Sequence, residues 1–84
     1  MNVVTDKERL TYLGENLRRA MRLHKMSQEQ LEADSGVSQA TISEVLNAKH
    51  DPSICAVWRL AQVLETSVDR LLSAPPKKIL EKSA

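Results

Sequence analysis

Within the 84 residues, Gln39, Ala40, Ser43, Glu44 and Asn47 recur at the three- and four-residue spacing that sets side chains on one face of a helix. Together they offer an amide, a methyl, a hydroxyl, a carboxylate and a second amide, left for solvent or a ligand. Such a face is polar but hardly charged, and its chemistry is hydrogen bonding rather than bond making. Catalysis would need a nucleophile beside a base, a carboxylate dyad, a phosphate loop or a metal-ligand cluster. The sequence carries none of these, so no enzyme, metal or cofactor is expected. His24 and His50 stand isolated, and the single Cys55 has neither a disulfide partner nor neighbouring ligands, which makes it a small packing residue.

That face needs a scaffold, and the apolar periodicity supplies one. From Arg9 to Lys25, Leu10, Leu13, Leu17, Ala20 and Met21 keep helical spacing. Ser27 opens Ser-Gln-Glu-Gln, a capping box in which Ser27 holds the Gln30 amide and the Gln30 side chain reaches back. The helix it starts runs to about Ser35. Gly36 stops it, since glycine tolerates the positive φ of a tight helix-ending turn, and Val37 plugs the space before the next helix. Ser38 caps a third helix, Gln39 to about Asn47, with Ile42, Val45 and Leu46 turned inward. Asp51-Pro52-Ser53 breaks the chain and starts a fourth, with Ile54, Val57, Leu60, Ala61 and Leu64 inside and Trp58 beside them, read as core. Ser67 caps a short fifth through Val68, Leu71 and Leu72, and Pro75-Pro76 ends the folded part. The expected fold is all-α with five helices, divided into an N-terminal arm (1–8), one helical domain (9–74) and a flexible tail (75–84).

Composition agrees with one small helical domain: 42% of residues are apolar, 2% are aromatic and only two are glycine. The charged N-terminus lacks the apolar stretch of a signal peptide, and no apolar run approaches the ~18 residues of a membrane span. A soluble, cytoplasmic protein without membrane contact is expected. The net charge is only +1, and residues 27–51 set Glu29, Glu32, Asp34, Glu44 and Asp51 against Lys49 alone. Such a balance gives little general attraction to phosphate.

Two short helices joined by a turn with glycine at its start and a hydrophobe after it form a helix-turn-helix pattern. In that arrangement one helix braces the other, so that the second can project side chains into a major groove. The flanks extend the pattern through Leu13-Gly14-Glu-Asn-Leu17, Ser27-Gln28-Glu-Gln-Leu31, Gly36-Val37-Ser38-Gln39-Ala40-Thr41-Ile42-Ser43, Pro52-Ser53 and Ser67-Val68-Asp69-Arg70-Leu71-Leu72. Over Leu13 to Leu72 the chain resembles the lambda-repressor/Cro-like (XRE-type) helix-turn-helix family.

The resemblance implies a bacterial or phage-encoded regulator that binds double-stranded operator DNA as a two-fold dimer, with the third helix reading bases. It assigns Gln39, Ala40, Ser43 and Glu44 to base edges, and Gln28, Thr41, Asn47 and Lys49 to the DNA backbone. Gln28 would also steady Gln39. His50 and the basic Arg18, Arg19, Arg22 and Lys25 could reach phosphate or form a solvated stripe. Trp58, Val68, Leu71 and Leu72 are the alternative dimer contact. Three departures stand out. Met21 and Leu46 replace a family Arg–Glu ion pair together, an exchange of bridge for apolar contact. Glu32 occupies a position usually alanine, so the joint is loosened or the Glu stem lies along its edge. Ala48 stands where a helix-ending glycine is common and would carry strain there. The expected role is a repressor, whether phage Cro- or repressor-like, an antitoxin or a restriction-modification controller. A protein-interaction module with a partner such as a toxin is the alternative.

Overall fold

The structure, a computed structural model, describes residues 3–76. Among the described residues there are five helices and no strand: α1 (Asp6–Leu23), α2 (Gln28–Ser35), α3 (Gln39–Leu46), α4 (Ile54–Val63) and α5 (Val68–Leu72). Each helix begins on a hydroxyl that satisfies an otherwise orphaned amide. Thr5, Ser27, Ser38, Ser53 and Ser67 accept from the backbone N–H three residues on, at 3.1–3.2 Å.

One boundary and one cap differ from the sequence reading. The arm does not extend to residue 8, because Thr5 and Glu8 form a complete capping box: the Glu8 carboxylate accepts from the Thr5 N–H at 3.0 Å while Thr5 caps Glu8. Asp6, Lys7 and Glu8 are therefore the first turn of α1. The Ser27 box is only half made. Gln30 Nε2 donates to both Asp34 carboxylate oxygens, at 3.1 and 3.2 Å, rather than reaching back. The charge-assisted bonds to the carboxylate one turn ahead are stronger than the neutral bond that the Gln30 Oε1 would accept from the Ser27 N–H. Of the tail assigned to 75–84, residues 77–84 lie outside the described residues.

Helix ends use left-handed residues, of which only Gly36 (φ +78°) is glycine. Lys25, Ala48 and Glu65 adopt φ of 53–55°. Each closes a paired turn in which the following N–H reaches back five residues: Met26 to Met21, Lys49 to Glu44 and Thr66 to Ala61, at 2.9–3.0 Å. The strain expected at Ala48 is thus present, and two further non-glycine residues share it.

One aliphatic cluster unites all five helices, with Leu13, Leu17, Leu31, Ile42, Leu60, Leu64 and Leu71 almost wholly enclosed. Burying each contributes about 1.5–3 kcal/mol. Met21 and Leu46 both belong to this cluster, which gives the missing ion pair an apolar substitute. Helix α1 packs on α3 and α5, α2 on α3 and α4, and α4 on α5. The α1–α3 contact is close enough to require Gly14: a Cβ there would lie 2.9 Å from the carbonyl oxygens of Val45 and Leu46. Asn16, two residues along, holds α5. Its amide nitrogen lies 3.1, 2.9 and 2.7 Å from the carbonyls of Arg70, Leu71 and Ser73, and Arg9 donates to the Leu72 carbonyl at 2.7 Å.

Helix α4 corrects three sequence expectations. Ile54 is 64% and Trp58 55% exposed, and Cys55 is exposed as well. The buried stripe is Val57, Leu60, Ala61 and Leu64, and Ile54 and Trp58 sit one turn apart beside it, with Ile54 on an open groove that Leu10 of α1 and Leu72 of α5 also line. Leu71 is 2% exposed, so it belongs to the core and offers nothing to a second molecule.

Opposite stability changes are expected at two positions. Gly14→Ala should lower the unfolding free energy by ~1–3 kcal/mol through backbone overlap that outweighs its gain in helix propensity. Ala48→Gly should raise it by ~0.5–1 kcal/mol by relieving the left-handed strain. Chemical denaturation of both variants beside the parent checks the pair; an unchanged midpoint for Gly14→Ala would contradict the close approach.

Candidate nucleic-acid interface

Helix α3 presents two chemically distinct sides because its apolar residues fall on one arc. Ile42, Val45 and Leu46 are buried, while Gln39, Ala40 and Glu44 are exposed and Ser43 is half-buried. The four residues assigned to base edges therefore share the outward face of a helix whose other side is fixed in the core. Their functional groups span amide, methyl, hydroxyl and carboxylate, the range that distinguishes base pairs in a major groove.

The residues assigned to the DNA backbone are less uniform. Thr41 is half-buried and its hydroxyl accepts from Ser38 Oγ at 2.9 Å, which leaves its own proton to donate. Asn47 caps α3 and donates one amide hydrogen to the Ser43 carbonyl at 2.8 Å, which leaves its second N–H to donate. Lys49 is exposed just beyond the turn at Ala48. Gln28 is the first residue of α2 and half-buried, and among the described residues no hydrogen bond joins it to Gln39.

A different residue steadies Gln39. Glu32, within α2, accepts from the Gln39 backbone N–H at 3.0 Å. Of the two expectations, a loosened joint or a Glu stem along its edge, the second fits: the exposed side chain reaches across the turn and pins the first amide of α3. The bond spans seven residues and depends on the angle between two helices, so no local pattern in the sequence announces it.

Basic groups gather at both ends of α3. Arg18 Nη2 lies 3.5 Å from the Leu46 carbonyl, where a cation complements the negative end of the helix dipole. Arg19, Arg22 and Lys25 are exposed on α1 and its terminal turn. Near the start of α3, an open groove of about 440 Å³ is lined by Ser38, Thr41, His50, Ser53 and Arg59 among others. Arg59 had no part in the sequence reading, because its own helix gives no hint that it faces the start of α3. Among the described residues no three His, Cys, Asp or Glu side chains are placed to share a metal ion.

The fold and this face define a small helix-turn-helix domain. The helix-turn-helix family model matches residues 17–71, and the chain belongs to that family, a class of DNA-binding transcriptional regulators. It is similar to the uncharacterized HTH-type transcriptional regulator RghRB of Bacillus subtilis, with 37% identity over 62 residues, covering 73% of this chain and 45% of that protein. The chain thus spans about half the length of that relative. A second, y4dJ of Sinorhizobium fredii, is 34% identical over 55 residues, covering 66% and 71%. Among solved structures, the restriction-modification controller protein C.AhdI from Aeromonas hydrophila superposes with TM-score 0.69 and 26% identity over 74% of this chain and 94% of its own. A hypothetical transcription factor, NHTF, from Neisseria shares the fold, with TM-score 0.76 at 22% identity over 98% of this chain and 94% of its own.

The two kinds of contact should separate by mutation. Gln39→Ala should change which bases are preferred, costing about 1–3 kcal/mol on the best site, whereas Lys49→Ala should weaken all duplexes alike and flatten the salt dependence by about one unit of slope. Binding isotherms on matched and scrambled duplexes at several salt concentrations read both; equal losses across all sequences for Gln39→Ala would refute its base-reading role.

Proposed function

We propose that this protein is a transcriptional repressor that binds a pseudo-palindromic operator as a homodimer, working in the cytoplasm. The observation that carries the reading is the outward face of α3, where Gln39, Ala40, Ser43 and Glu44 project from a helix held rigidly from behind. Gln39 can bond N6 and N7 of adenine, the Ala40 methyl can meet a thymine methyl, and Glu44 can accept from cytosine N4. Thr41, Lys49, the Gln28 side chain and the second amide N–H of Asn47 serve the backbone, with Arg59 and His50 added from the groove beside them.

Homodimerisation is supported by the exposed Ile54 and Trp58 on α4, an apolar stripe of the kind that aromatics anchor in interfaces. Half-buried Val68 and Leu72 add to this end of the molecule; Leu71 does not. A two-fold axis would pair two α3 helices with two half-sites. The likeness to C.AhdI, a restriction-modification controller, favours a controller-type role. The acidity of residues 27–51 favours a second reading, in which a protein partner such as a toxin is bound through the same α4 stripe.

Selection from a random duplex pool at low and near-physiological salt decides between them. An inverted repeat with half-sites about one helical turn apart is the expected product. Trp58→Glu should leave the monomer folded, abolish the dimer in sedimentation and reduce recovery to isolated half-sites. Recovery of nothing above background at either salt would put the protein partner first.

A further inference from the structure

We infer that Glu32 is a positioning residue for base recognition: its carboxylate clips the N-terminus of α3 and sets where Gln39 and Ala40 meet the bases. The inference rests on the DNA-binding reading above and adds a residue outside the reading face. Three observations support it. The Glu32 carboxylate accepts from the Gln39 N–H at 3.0 Å, and Gln39 is both the first residue of α3 and the first of the proposed base contacts. Ser38 takes the Thr41 N–H at 3.2 Å, so two of the three leading amides of α3 are bound, one by the preceding residue and one by the neighbouring helix. Among the described residues the Glu32 bond is the one side-chain hydrogen bond from α2 to this point, and it adds to the apolar packing of Leu31 in the cluster it shares with Ile42 in holding the start of α3.

The bond has an electrostatic corollary. Glu32 is exposed, and its negative charge lies at the end of α3 that carries the leading base contacts. DNA phosphates within the ~8 Å screening length at physiological salt would be repelled by it. The carboxylate thus trades general affinity for a fixed geometry, since the amide it occupies is withheld from any phosphate. Glutamine at this position keeps a carbonyl acceptor and discards the charge, while alanine discards both.

The test compares the parent with Glu32→Gln and Glu32→Ala in the full chain. Amide hydrogen exchange of Gln39 in the free protein reads the clip; sequence selection and salt-dependent binding read its effect. Expected results are Gln39 exchange about tenfold faster in Glu32→Ala and near parental in Glu32→Gln, by loss or retention of the bond. Base preference at the positions nearest Gln39 should relax in Glu32→Ala and return in Glu32→Gln, which should also bind all duplexes about three- to tenfold more tightly for want of the repelling charge. Parental Gln39 exchange in Glu32→Ala would overturn the clip. Unaltered preference in that variant, or altered preference in both, would overturn its role in recognition. If the parent binds no duplex while its Gln39 amide stays protected, the DNA reading fails and takes the recognition role with it, leaving only a structural clip.

Discussion

A helix of eight residues makes too few internal hydrogen bonds to hold its own direction, so α3 depends on what grips its two ends. At the C-terminal end the grip is the backbone of α1, brought within van der Waals distance at Gly14, with Arg18 beside the last carbonyl. At the N-terminal end it is the Ser38 hydroxyl together with the Glu32 carboxylate. Between them Ile42 and Val45 fill the core and prevent rotation. The outward residues inherit their positions from these constraints and contribute almost nothing to stability themselves.

This division explains how an acidic segment can serve recognition. Of the carboxylates in residues 27–51, Asp34 is engaged by Gln30 and Glu32 by α3, so part of the negative charge is committed to internal bonds. The basic side chains lie on the flanks: Arg18 at one end of α3, Arg59 and His50 in the groove near the other. A weak field over the outward face of α3 gives little general attraction to phosphate and, on the proposed DNA-binding reading, leaves discrimination to hydrogen bonds with base edges.

Local chemistry was the legible part of the sequence. Serines 27, 38, 53 and 67 and Gly36 marked helix boundaries because capping and positive φ act within a few residues. Thr5 and Glu8 carry the same signature, but the apolar pattern begins only at Leu10, so the first turn of α1 was assigned to the arm. The outward face of α3 was legible because helical spacing alone separates Gln39, Ala40, Ser43 and Glu44 from Ile42, Val45 and Leu46. What escaped depends on distance in sequence. Ile54 fits the α4 stripe by periodicity, yet it lies on an open groove between α1, α4 and α5 and stays exposed. Trp58 was placed in the core by its type, although it sits next to the stripe rather than on it. Glu32, Arg59, Gly14 and Asn16 take their roles from other helices, and a single sequence does not say which helices meet.

Asn16 and Gly14 also bear on the order in which the chain can assemble. The carbonyls that Asn16 holds lie 54–57 residues further along, and α5 is only five residues long, too short to form before it docks. During synthesis, helices α1 to α4 must therefore wait with one side of the core open until the last segment emerges and closes the loop. Such long-range closure makes the final step cooperative, and it ties the geometry of α3 to completion of the far end of the domain. A chain interrupted before α5 would lack the piece that locks α1, and through α1 the end of α3.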